Sequence, residues 1–560
     1  MSMFSIGLSG LNAAQNALNT VSNNISNVYT PGYNREITVL NESNNNSGVR
    51  VADIERQYNT FVAAQLNNAK SQSSALNVYS TQVTQIDNLL ADREAGLAPL
   101  MQNFFSSLED LASAPSDPAS RQGVLGAANT LSAQFRSFDG YLQDLQSGVN
   151  GQIKDEITQI NNTTTQIASI NREISLARAQ LGEAPNSLLN QRDQMISELN
   201  ERMDVRLNIQ DGKTYNLTLP NGQPLVTGDT AYKLEAIESQ SDPQRVVVGY
   251  REGAQGNGNL VALDEGLISG GALGGLMSFR SDTLDKTQNQ IGQLASSLAL
   301  AFNEQHQQGV DLQGDQGEAF FSLGKPNAYF NAENSGSASV EATFDQESVS
   351  ALRATDYSIK VTDAAATPPT LEVTRKDDGS VVDFEFDAVS ETLSFGGVNV
   401  AFTDLNTAQN GDRFEIQPVR RAAGGMDANI TDLDKIAAGQ PANPNDDPTD
   451  WVAEGAGDNR NALALQNMQA ESIVGGSASV SGAYASIVSD VGNRTNIVQV
   501  NLDARQGLTD QLKAVQQSES GVSLDEEAAN LIRFQQYYQA NARVIDTASN
   551  IFDTILGLRS

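Results

Sequence analysis

Residues 9–35 read SGLNAAQNALNTVSNNISNVYTPGYNR, and the first 34 residues of the chain hold no charged side chain. Phe4, Gly7, Leu11, Ala14, Leu18, Val21, Ile25 and Val28 recur in steps of three and four, which predicts a helix with a coiled-coil stripe. The stripe runs into Thr30-Pro31-Gly32-Tyr33. Proline there lacks an amide donor and glycine tolerates positive φ, so the helix is expected to stop and turn. A matching stripe closes the chain at Leu524, Leu531, Tyr538, Ile545 and Phe552, with Phe534, Ala548 and Ile555 three residues further along each turn. Ser523 and Glu526 have the spacing of a capping box ahead of it. On pattern alone the two ends pair with each other inside one monomer or with neighbours in an assembly. The rest of the chain gives a formal net charge of −33, so an uncharged N-terminal helix would let copies crowd without bringing like charges close.

The N-terminal stretch resembles the signature of the bacterial flagellar rod, hook and hook-associated axial family. SGVSLDEEAANLIRFQQYYQANARVIDTASNIFDTIL, from residue 520, resembles that family's C-terminal signature. Interior segments resemble its hook-associated junction members rather than its rod or hook subunits: IDNLLAD (86–92), FFSSLEDLASAPSDPASRQGVL (104–125), PNSLLNQRDQMISELN (185–200), DGKTYNLTLPNGQPLVTG (211–228) and GGALGGLMSFRSDTLD (270–285). The likeness spans nearly the whole chain and is weakest from about 325 to 460. It implies a structural, extracellular flagellar subunit joining hook to filament and exported without a cleaved signal peptide. The implied partners are a ring of like subunits, the hook protein, a second junction protein on the filament side and an export chaperone at the C-terminal segment. It also implies an assembly interface at Leu11, Ala14, Leu18, Val21, Asn23, Asn24, Ile25, Asn27, Val28, Thr30, Pro31, Gly32 and Tyr33. From the other end come Leu524, Leu531, Phe534, Gln535, Tyr538, Asn541, Ala542, Ile545, Ala548, Phe552 and Ile555. Its amides, Gln539 among them, are expected to bond between subunits.

A chain of 560 residues, 39% of them apolar, is long enough for several cores. It has no cysteine, so disulfides and thiolate metal sites are excluded. No run of 18 apolar residues is present, against a transmembrane helix, and the N-terminus lacks the basic and apolar regions of a secretory signal. The excess of 68 acidic over 35 basic residues disfavours nucleic acid and anionic membrane as partners.

Helical spacing persists to residue 204, as at Leu76, Tyr79, Val83, Ile86 and Leu90 and at Ile153, Ile157, Ile160, Ile167 and Ile174. Asp117-Pro118 reads as an N-cap followed by proline at the first helical position. From Val205 the period becomes two: Val205, Leu207, Ile209, a turn at Asp211-Gly212, then Tyr215, Leu217 and Leu219. A helix is expected over 276–305, strands over 325–425 and a helix over 476–519. The expected class is mainly α with inserted β domains, an elongated nested α+β chain whose terminal helices form a coiled-coil inner core. Its parts are 1–50 with 521–560 as terminal helices; 51–204, 271–324 and 460–520 as a helical bundle; 205–270 as a small β unit; 325–425 as an outer β domain; and 426–459 as a linker.

Catalytic patterns are scarce. The sole histidine, His306, is expected in a structural role at a helix end, and no G-x-S-x-G elbow occurs. Asp311 and Asp315 partly match a calcium loop, but Gln316 and Ser322 stand where glycine and glutamate are required. Gly270, Gly271, Gly274 and Gly275 lack the Lys-Ser/Thr of a phosphate loop. No catalytic, cofactor or metal residue is therefore assigned. The other readings are a hook- or flagellin-like subunit, or an adhesin or enzyme domain at 325–425 on an axial scaffold, which would need a concave polar pocket there.

Overall fold

Asp117 accepts a hydrogen bond from the Ala119 amide, and Pro118 begins a helix that runs 64 residues to Leu181. At 1.5 Å per residue it spans about 96 Å. The computed structural model describes residues 3–43, 48–92, 96–210, 214–253, 256–448 and 451–558. Ten α-helices are described among them: α1 (Met3–Ser26), α2 (Thr60–Leu90), α3 (Leu97–Ser113), α4 (Pro118–Leu181), α5 (Asn186–Arg202), α6 (Gly271–Phe279), α7 (Asp285–Gln307), α8 (Arg460–Asn467), α9 (Val480–Ser520) and α10 (Leu524–Gly557).

The order is nested, as expected. Helix α1 packs on α10, α2 packs on α9, and the intervening chain leaves and returns between them. The main core joins Tyr79, Val83, Ile86 and Leu90 of α2 with Phe104 and Phe105 of α3, Ile153, Ile157 and Ile160 of α4, Ile291, Leu294 and Leu298 of α7, and Ile487 and Val491 of α9. Gly275 lets α6 lie on α2, since a Cβ there would stand 2.3 Å from the Ala75 carbonyl oxygen. The helix expected over 276–305 starts earlier, at Gly271, and carries a π turn at Arg280–Leu284. Strands between 206 and 262 form a four-stranded and a three-stranded antiparallel sheet. Leu207 and Ile209 do lie on a strand, but their faces are exposed while Tyr215, Leu217 and Leu219 are buried. The expected turn at Asp211-Gly212 lies outside the described residues.

The block from Asn327 to Gln417 holds five- and four-stranded antiparallel sheets over a core of its own, built on Ile359, Val373, Leu393, Val400, Phe414 and Ile416. Three observations correct the sequence reading. Residues Glu36–Glu42 and Val49–Arg56 pair as a β hairpin, so the boundary at 50 cuts through a strand. The hairpin's alternation is weak because neither face is fully buried. The segment expected as a linker is packed over its first part, where Met426, Ile430, Ile436 and Ala438 enter the main core and Asp427-Ala428 pairs with Phe321-Ser322, whereas residues 442–448 are exposed. The backbone of this packed part is held by Arg121, which donates to the Leu433 and Ile436 carbonyls. Finally, Ala423 also belongs to the main core, so the outer block ends before residue 425.

Candidate assembly interface

Helices α1 and α10 run antiparallel, with Gly7 opposite Ile545, Gly10 opposite Asn541 and Asn24 opposite Glu527. The buried face of α1 is Gly7, Gly10, Ala13, Ala14, Ala17, Thr20, Val21 and Asn24. Small side chains let the backbones approach: a Cβ on Gly7 would lie 2.8 Å from Ile545 Cγ1, and one on Gly10 2.1 Å from Asn541 Oδ1. The expected stripe is therefore turned by one residue at alternate steps. Ala14 and Val21 are buried, but Leu11, Leu18, Ile25 and Val28 sit half-buried along its margin. On α10, Leu531, Phe534, Asn541, Ala542, Ile545 and Ala548 are half-buried, while Leu524, Gln535, Tyr538, Phe552 and Ile555 are exposed.

Asn24 closes the pair at its other end. Its Nδ2 donates to the Glu36 carbonyl (2.9 Å) and to Glu527 Oε2 (3.1 Å), while its Oδ1 accepts from Tyr33 Oη (2.8 Å) and the Glu36 amide (2.9 Å). All four of its hydrogen-bonding positions are thus used within the chain. That corrects the expectation of bonds between subunits for this amide. Asn23 is exposed, and Asn27 donates back to the Asn23 carbonyl one turn away. Arg35 Nε lies 2.8 Å from buried Glu527, and Arg35 Nη1 lies 2.6 Å from Glu526. Ser523 caps α10 as expected, but the Glu526 carboxylate turns to Arg35, leaving only half of the capping box. Burial pushes both the Tyr33 phenol and the Glu36 carboxyl up from their usual ranges.

The hairpin ties this clasp to the body. Thr38 Oγ1 donates to Thr20 Oγ1 (2.8 Å), Asn34 Nδ2 donates to Asn190 Oδ1 (2.8 Å), and Arg56 pairs with Asp193 (2.6 Å). Gly32 has φ +75°, and a Cβ there would stand 2.9 Å from Gln194 Cβ, so the turn needs glycine on both counts. Thr30 and Pro31 are exposed beside Tyr29, whose ring is 88% exposed, while Tyr33 is half-buried. The sequence reading missed Gly10, Ala13, Ala17, Arg35 and Glu527. The three-and-four spacing of small residues from Gly7 to Ala17 was the available signal; the two charges carried none.

The outward faces of the pair leave several apolar side chains uncovered among polar ones. Met3, Phe4, Ile6 and Leu8 are exposed on α1, as are Ile532, Ile551, Phe552 (62%), Ile555, Leu556 and Leu558 (83%) at or near α10. Elsewhere, His306 is buried with Nδ1 bonded to the Glu318 carbonyl and Nε2 accepting from the Ala437 amide. Lys435 Nζ lies 2.9 Å from both Asp311 and Asp315, occupying the position a cation would take in that loop. Among the described residues no group of three His, Cys, Asp or Glu side chains is placed to hold a metal, and no helix is long and apolar enough to cross a membrane.

The family model "Flagellar hook-associated protein FlgK helical domain" matches residues 83–321, and "Flagellar hook-associated protein 1, D2-like domain" matches 329–418. "Flagella basal body rod protein" matches 4–34, and "Flagellar basal body rod FlgEFG protein C-terminal" matches 516–558. The chain is 42% identical to the flagellar hook-associated protein 1 of Escherichia coli K12 and 41% identical to that of Salmonella typhimurium LT2, each over the full length of both chains. The solved flagellar hook junction protein FlgK of Burkholderia pseudomallei is similar with a TM-score of 0.74 at 28% identity, covering 82% of this chain and all of that one.

Proposed function

The chain belongs to the flagellar hook-associated protein 1 family, and from that membership we propose that it joins hook to filament through the uncovered faces of its paired termini. It is a structural subunit of the flagellum, outside the cell, and assembles with the hook and other flagellar components. The observation that carries the interface is the row Phe552, Ile555, Leu556 and Leu558, apolar and without cover in the single chain. Like subunits set in a ring would cover it, with the termini innermost and the outer β block facing solvent.

The antiparallel pair has one face closed by small residues and one face open, so assembly completes its burial rather than creating both helices. Helices in proteins gain most of their stability from such packing. Before assembly the pair is therefore the least stable part of the chain. An export chaperone covering the C-terminal segment, and export without a cleaved signal peptide, fit a C-terminal helix with this much exposed apolar surface. The relatives are structural flagellar proteins, and the β block supports the same reading, since its interior is filled by apolar side chains such as Tyr357, Val361, Val398 and Ile416.

Phe552→Asp tests the interface. The new carboxylate stands in water in the monomer but would be buried unpaired in a ring, at a cost of several kcal/mol. Purified variant should melt like the parent, while cells carrying it should release unassembled filament protein and fail to swim. Normal filaments would sink the assignment. Leu531→Asp is the weaker test, because Leu531 is already half-buried in the single chain and its loss would disturb the pair itself.

A further inference from the structure

The outer β block and the helical body have separate apolar cores, with Leu300 of α7 the residue of the body packed against the block's core. Between them lies a cluster of buried charges drawn from three parts of the chain. Asp285 opens α7 directly after the π turn, where its carboxylate lies 2.5 Å from Arg245 Nη1 and 3.3 Å from Arg420 Nη1. Arg245, in the small β unit, also makes a two-pronged pair with Glu265 (2.6 and 2.7 Å), which in turn lies 3.0 Å from Arg280 at the start of the π turn. Arg420 follows the last strand of the outer block and pairs with Asp356 at the block's first long strand, with Asp242 3.8 Å away. Gln417 donates to Asp242 at 3.0 Å. Gly292 brings α7 against this corner, because a Cβ there would fall 1.7 Å from the Val419 carbonyl oxygen.

We propose that this cluster is a latch that fixes the angle of the outer β block on the helical body, with Arg420 as the bolt between Asp356 on one side and Asp285 on the other. An apolar contact can slide, whereas a planar guanidinium between two buried carboxylates has one geometry. The π turn supports the assignment. It adds a residue to the α6–α7 helix at the point where Arg280 and Asp285 must both face the cluster, and such turns are found where a helix is re-aimed for a purpose. Beside the apolar contact of Leu300, further polar contacts cross the junction, among them Gln293 to the Leu352 carbonyl, Arg353 to the Gly475 carbonyl, Asn331 to Ser241, Gln240 to Glu333 and Arg421 to Asp139. These tether the block without fixing its angle.

The absence of native cysteine makes the test direct, since a spin-label pair can be placed at Val389→Cys in the block and Leu176→Cys on α4, both exposed. In the full chain, pulsed electron resonance should give one narrow distance distribution. Arg420→Met and, separately, Asp285→Asn should each at least double its width while hydrogen-exchange protection at Ile359 and Val373 persists; Arg420→Lys should fall between. A distribution that stays narrow in both variants overturns the latch. So does loss of protection inside the block on Asp285→Asn, which alters only the body and would reveal the cluster as part of the block's folding core.

Discussion

His306 shows how much one buried side chain can organise. Its ring joins three segments, from α7 to the Glu318 carbonyl and the Ala437 amide, with Phe302 and Phe320 against its faces and edge. Burial pushes its pKa down to about 4. The unfolded chain takes up that proton near pH 6.5, so between about 6.5 and 4 the unfolded state binds more protons and stability falls as acid is added. The full effect is about 3 kcal/mol. Asp139 works with the opposite sign, since burial lifts its carboxyl to about 6 and the folded state gains a proton first. Because the chain has a single histidine, its ring proton resonance should titrate alone, with a midpoint near 4. A midpoint near the free value would mean the ring is hydrated and the 437 segment detached.

The pairing of α1 with α10 depends on what their contact lacks. Glycine in a helix costs about 1 kcal/mol relative to alanine, so Gly7 and Gly10 weaken α1 as an isolated helix. Close approach offsets the loss. Gly10→Leu should improve helix propensity yet destabilise the pair by about 1–3 kcal/mol through overpacking against Asn541. Hydrogen exchange should then quicken in α1 and in α10 around Asn541 while α2 and α9 stay protected; unchanged exchange would show that the helices do not meet at this point. The stripe's existence was legible from its three-and-four spacing. Its rotation was not, because period alone cannot distinguish Leu11 and Leu18 at the seam from Gly10 and Ala17 at the seam with leucines beside it. The hairpin was illegible for a related reason: with neither face fully buried, its strands carry no clean alternation.

Across the full length, the nested path lets the outer block be removed without cutting the body. Gly324 N donates to the Ala422 carbonyl at 3.2 Å, so the two crossings lie side by side. Deleting 325–421 and closing the gap with two glycines should leave the helical body folded. Asp285 loses Arg420 but keeps Arg245, and the melting temperature should fall by about 5 °C or less. Collapse of the far-ultraviolet helix signal would mean that the block supports the body. With a net charge of −33, the uncharged stretch from residue 1 to 34 is where copies of this chain can approach each other at least electrostatic cost.

What could be read from residues alone was local: helix starts at Asp117-Pro118 and Ser523, the stop at Thr30-Pro31-Gly32, the switch from period 3.6 to period 2 after residue 204, and the absence of cysteine and catalytic patterns. Those features depend on propensity, capping and backbone freedom, which act within a few residues. Tertiary structure decided the rest. It chose Gly10 over Leu11 for the seam, turned Glu526 from its own cap to Arg35, drew Met426, Ile430, Ile436 and Ala438 into the core and gathered Arg245, Asp285, Asp356 and Arg420 at one corner. Each of those outcomes depends on a partner hundreds of residues away or on another element's surface, and burial and charge pairing across such separations leave no periodic mark in the chain.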